Sequence, residues 1–117
     1  MTRAARSVYV FGIYLVVLGG ILMGAPNTLL AMVRQPATTE PWIHVLGIPV
    51  MGMGLTYLAM ARSGQAAFLR VTVWGRLYAL TAFVALAVAG IVPPIVAAFG
   101  LVDAAGAAWT HATLRAS

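Results

Sequence analysis

Apolar residues in this chain do not alternate with polar ones; they run on. Four stretches, 8–25, 42–61, 66–89 and 94–112, are predominantly apolar, and each is bounded by proline, glycine, arginine or a short polar cluster. At a helical rise of 1.5 Å per residue, about 20 residues cross a hydrocarbon core roughly 30 Å thick, with tilt or interfacial residues completing the shorter runs. Barrel strands would alternate with period two and stop after about ten residues. In lipid only helices or closed barrels satisfy the backbone. The pattern therefore predicts an all-α fold: one antiparallel bundle of four transmembrane helices, forming a single domain over 1–117.

The punctuation orders the connections. The longest piece outside a span is 26–41, where Pro26 suits a first helical turn and 27–33 suits a short helix lying in the membrane interface. Residues 35–41 read as loop, with Thr39 or Glu40 capping a helix that has Pro41 in its first turn. Ser63 and Gly64 close the second span into a tight turn. Pro93 and Pro94 start the fourth span almost directly after the third, so those two are antiparallel neighbours. The first span resembles a secretory signal, with Arg3 and Arg6 ahead of it and small residues at Gly24 and Ala25. Its run is longer than a usual signal core, and the expectation is a retained helix.

Composition agrees with the pattern. Of 117 residues 62% are apolar, while charged residues make up only 8%, too few to cover the surface of a soluble domain this small. Having no cysteine, the chain is without disulfides, thiolate metal ligands and cysteine nucleophiles. The net charge of +5 comes from seven arginines, with no lysine, against Glu40 and Asp103. These arginines are scattered singly between apolar runs, which does not fit nucleic acid. They fit topology: Arg3, Arg6, Arg62, Arg70 and Arg115 fall on one side of the predicted bundle and Arg34 on the other. This asymmetry puts both termini in the cytoplasm.

Small residues mark packing faces. Gly12, Val16, Gly20 and Gly24 recur every four residues on the first span, Gly47 and Gly54 form a stripe with His44 and Met51 on the second, and Ala97, Gly100, Ala104 and Ala108 form one on the fourth. Such faces let helix backbones approach closely, within one bundle or along a homo-oligomer seam. Pro49 interrupts the second span, freeing the carbonyl near Val45 and predicting a kink beside Gly52 and Gly54.

The ionic residues carry the candidate chemistry. Asp103 lies nine residues past Pro94, about 13 Å down a descending helix, and Arg76 lies six residues past Arg70, about 9 Å up its neighbour. Either charge alone is costly at a helix centre, so the expectation is that they pair, as a structural pin between helices or as a functional site. Thr72 shares a helix face with Arg76, and Thr110 and His111 share one with Asp103. Trp74 can stack on the guanidinium or line a pocket. His44, near the opposite surface, is an interfacial histidine or a solitary axial ligand, since His111 is too far away to share a metal with it. Trp42 and Trp109 suit the two interfacial aromatic belts. An apolar ligand would fit beside the Pro49 kink, bounded by His44, Gly47, Met51, Trp74, Arg76 and Asp103.

The sequence has no HExxH, P-loop or GxSxG motif, and two carboxylates make no acidic metal cluster. Four spans invite comparison with small multidrug-resistance exporters, but the acidic residue those carry in the first helix has no counterpart here. GIYLVVLGG in the first span, the AP-x-x-LL turn at Ala25, the tract from WIHVLG through AMAR, and Gly75 with Arg76 resemble the DoxX-like group of small four-helix bacterial membrane proteins. That resemblance implies a four-helix bundle in the bacterial inner membrane and assigns no functional residue. The expected function is a non-enzymatic membrane module, with lipid, a second copy or a larger membrane complex as partner, that packs in such a complex or holds a lipid, quinone or pigment. The alternative is a proton-linked transporter or small membrane enzyme using Asp103 and Arg76.

Overall fold

Thr2 starts the first helix, its hydroxyl accepting the Ala5 N–H at 3.0 Å and so satisfying one of the free donors of a helix N-terminus. In the computed structural model, which describes residues 1–116, helix α1 therefore runs Arg3–Gly24, five residues earlier than the apolar run suggests. Ser117, the end of the expected domain, lies outside the described residues. The added turns bury Ala4, Ala5 and Ser7.

After Ala25, Pro26 opens the short helix α2, Pro26–Met32. Arg34 adopts a left-handed conformation, φ 57°, and the Gln35 N–H donates to the Leu30 carbonyl at 2.8 Å. This arrangement closes α2, although a side chain in that region is strained relative to glycine. Asn27 holds the following loop by donating to the Thr38 carbonyl at 3.1 Å and accepting the Thr38 N–H at 2.8 Å. Helix α3, Trp42–Ser63, begins from Pro41 with no side-chain cap. Thr39 and Glu40 do not take that role: the Glu40 N–H is itself held by the Thr38 hydroxyl at 3.1 Å. The helix continues through Pro49 and ends at Gly64, whose φ of 67° suits glycine. Helix α4 spans Ala66–Val88, a 3-10 turn covers Pro94–Val96, and α5 spans Ala97–Ala116. Among the described residues there is no strand, and four helices are long and apolar enough to cross a membrane.

The order across the bundle is α3, α1, α5, α4, with α1 between α3 and α5 and little contact between α3 and α4. All three seams are antiparallel: Gly12 meets Gly54 while Gly19 meets Met51, Ser7 meets Thr110 while Phe11 meets Gly106, and Arg76 meets Thr110 while Phe83 and Leu80 meet Gly100. The α1–α3 seam is closed by backbone. A Cβ at Gly47 would lie 2.5 Å from the Gly19 carbonyl oxygen, and one at Gly54 would lie 2.7 Å from the Val16 nitrogen. The working spacing on α1 is thus Gly12 to Gly19. A Cβ at Gly20 would lie 3.4 Å from the tip of Met51 and one at Gly24 would meet nothing, so these two members of the expected four-residue stripe do not pack closely. A four-residue step drifts by about 40° around a helix, whereas a seven-residue step drifts by about 20° and stays on the seam.

Burial concentrates toward the end that carries Arg3, Arg62 and Arg115, where Ala4, Ala5, Val8, Phe11, Tyr57, Ala61 and Leu69 form the core. Large apolar side chains such as Val17, Ile48, Leu55 and Val71 point outward. Exposed Thr56 and Thr81 donate to the carbonyls four residues back, each at 2.9 Å, so that the hydroxyls need no water.

Candidate functional site

Arg76 is 2% exposed and touches all four long helices. Its Nε donates to the Thr72 carbonyl at 3.0 Å, and Nη2 donates to the hydroxyls of Thr72 at 2.9 Å and of Thr110 at 2.8 Å. Two rings complete the enclosure: Cζ lies 4.8 Å from the Phe11 centroid and 5.7 Å from that of Tyr57. Gly106 makes room, because a Cβ there would sit 2.6 Å from the Phe11 ring and 2.9 Å from Nη1. Burying a guanidinium costs several kcal/mol. Charge-assisted hydrogen bonds offset part of this cost, and each ring face adds about 0.5–2 kcal/mol.

The direction of the hydrogen-bond chain follows from its acceptors. Ser7 Oγ donates to the Ala4 carbonyl at 2.6 Å and shares a 2.7 Å contact with Thr110 Oγ1. A serine has one hydroxyl proton, so Thr110 is the donor in that contact and receives Nη2 on its lone pair. Thr72 likewise sends its proton to the Leu69 carbonyl at 2.7 Å. The relay from Arg76 through Thr110 and Ser7 to Ala4 links α4, α5 and α1, and the three hydroxyl side chains in it and beside it are buried. Nη1 has no hydrogen-bond partner among the described residues.

Asp103 accepts none of these bonds. It is half-buried on the α1 side of α5, within electrostatic reach of Arg76, Tyr57 and Tyr14. The expectation of direct pairing is corrected by side-chain direction, which the rise per residue does not contain. Helical side chains lean toward the N-terminus of their own helix. On antiparallel α4 and α5 this tilts Arg76 back to Thr72 and Asp103 toward the opposite membrane face.

The other expected ligand residues do not gather around Arg76. Trp74 is 72% exposed on the outer face of α4, because two residues along a helix turn by about 200°. Gly47 is closed by Gly19 and Met23, and Met51 packs on Gly19. His44 is exposed and donates from Nδ1 to the Met23 carbonyl at 2.7 Å, capping the last turn of α1. His111 is also exposed, so it does not share the buried face of Thr110. Among the described residues no three His, Asp or Glu side chains converge as a metal site would require.

Away from the arginine end, α1 and α5 separate into an open groove of about 330 Å³. Tyr14, Leu18 and Ile21 form one wall, Phe99 and Val102 the other, and Leu29 of α2 lies across one end. Asp103 follows Val102 directly. Ser7, Phe11, Gly106 and Leu18 were not legible as site residues, since their roles depend on the register of α1 against α5. Compared with known proteins, the chain matches no family model, no curated protein and no solved structure.

Proposed function

We infer that this chain is a non-enzymatic multi-pass module of the bacterial inner membrane that holds a hydrophobic ligand, a lipid or quinone, against its helices. In this reading both termini are cytoplasmic, α2 lies in the outer interface, and the chain is a DoxX-like four-helix protein. The observation that carries the reading is the groove between α1 and α5. It is apolar along its length, has Tyr14 in its wall with Asp103 next in sequence to its Val102, and has a volume in the range of small-molecule sites. The buried polar residues around Arg76 are meanwhile spent on joining helices.

The test is mass spectrometry of lipids retained after purification in mild detergent. Val102→Trp should fill the groove and remove a co-purifying ligand while the melting temperature stays within about 3 °C, a change of under 1 kcal/mol. A chain that retains no such ligand, with or without the substitution, would leave assembly with other membrane proteins as its role. Topology has its own test: a cysteine at Ala37 should label from outside intact cells and one at Ala116 should not.

The unpartnered Nη1 of Arg76 and the half-buried Asp103 favour a second reading, a proton-linked transporter or small membrane enzyme. In proteoliposomes containing a pH-sensitive dye, Asp103→Asn would abolish proton movement under that reading. Absence of proton movement in the parent protein would remove it.

A further inference from the structure

Helices α4 and α5 leave another groove, of about 390 Å³, on the surface facing away from α1. Its floor is Ala104 and Ala108 of α5, and its wall is Trp74 and Leu77 of α4. Arg70 and His111 stand at its mouth. Arg70 lies four residues into α4 and His111 five residues before the last residue of α5, so both are about 6–8 Å from the helix ends. Leu77 reaches about 10 Å deeper, well within the apolar layer.

Charge selects the occupant. Arg70 and His111 are exposed and have no hydrogen-bond or ionic partner among the described residues. Of the two carboxylate side chains, Glu40 precedes the opposite end of α3 and Asp103 is on the α1 side of α5. A second copy docking face to face would oppose like groups across the mouth, which is unfavourable. A free phosphate would leave the alanine floor and the tryptophan uncovered. The geometry points to a site for an anionic phospholipid of the leaflet at the arginine end: its phosphate sits on Arg70 and His111, and an acyl chain crosses Ala104 and Ala108 beside Trp74. Arginine supplies several donors to phosphate oxygens, and alanine leaves volume for methylenes.

Trp74 reports occupancy. With Trp42→Phe and Trp109→Phe it is the remaining tryptophan, and the protein can be reconstituted in phosphatidylcholine vesicles carrying tail-brominated phosphatidylglycerol or tail-brominated phosphatidylcholine. At equal mole fraction the brominated phosphatidylglycerol should quench Trp74 with a preference of about fivefold, the factor that corresponds to one basic group at an anionic surface. Arg70→Gln combined with His111→Gln should bring the two lipids to parity, with the helical circular dichroism unchanged. Arg3→Gln with Arg62→Gln, which lowers the charge of the same end by at least as much, should leave the preference in place. Ala108→Leu should reduce it by filling the floor without touching charge. Equal quenching in the parent protein overturns the site, as does a preference that survives loss of Arg70 and His111. Protection of Trp74 from both lipids, with a dimer seen by cross-linking, would overturn it in favour of a protein partner. The α1–α5 groove contains no tryptophan, so none of these outcomes depends on a ligand there.

Discussion

Helix α1 meets its two neighbours by opposite means. Against α3 it offers Gly12 and Gly19 to Gly54 and Met51, and backbone approaches backbone through van der Waals contact. Against α5 it offers Ser7 to Thr110, and through Thr110 it reaches the buried Arg76. The glycine seam persists from Gly12 through Gly19 to Gly47, whereas the polar seam holds only near the arginine end. Beyond Phe11 the α1 and α5 helices part into the groove at Tyr14 and Val102. In lipid, apolar surface by itself gives helices no reason to leave the solvent, so they close where backbones interlock or where polar groups need partners. Where neither holds, a groove remains.

The sharpest way to break this contrast is Gly54→Leu. Its Cβ would lie 2.7 Å from the Val16 nitrogen and 2.8 Å from the Gly12 carbonyl oxygen, neither of which can move alone. A loss of about 3 kcal/mol or more is expected in detergent unfolding, and Gly47→Leu should behave alike. Unchanged stability would mean that backbone contact does not hold the seam.

A smaller effect is expected on the polar side. Thr110→Val leaves Nη2 of Arg76 with one partner fewer and Ser7 without its donor, costing about 1–3 kcal/mol. Combined with Arg76→Met, which fills the space without charge, the loss should shrink, giving a coupling of about 1 kcal/mol. The corresponding cycle between Arg76→Met and Asp103→Asn should show weaker coupling, because Asp103 accepts none of the guanidinium bonds. A larger coupling to Asp103 than to Thr110 would reverse the assignment of partners. Smallest of all, Gly24→Ala should stay within about 0.5 kcal/mol of the parent or gain slightly from helix propensity, since a Cβ there meets nothing. A large loss would place a neighbour on that face.

The helices were largely legible because insertion in lipid is a one-dimensional requirement. Expected spans 42–61 and 66–89 lie close to the observed Trp42–Ser63 and Ala66–Val88. The early start of α1 was missed because Arg3 and Arg6 read as flanking charge, while Thr2 is a one-residue signal ahead of them. In the candidate site, Arg76 stood out by its cost in an apolar run, and Thr72 followed from the helical period. Ser7 did not stand out, since its role requires knowing which turn of α1 lies opposite Thr110.

Composition and the lengths of the apolar runs determined by themselves that the described chain is helical and apolar enough to cross a membrane four times, because lipid offers the backbone no other partners. Which side chains meet was decided by tertiary structure. Depth along each helix suggested Arg76 with Asp103, yet depth locates only Cα atoms. The lean of side chains toward their own N-termini on antiparallel helices sent Arg76 to Thr72 and Thr110, and the rotation about α4 turned Trp74 to the outside. Both depend on how one helix is turned against the next, which helix–helix contact alone specifies.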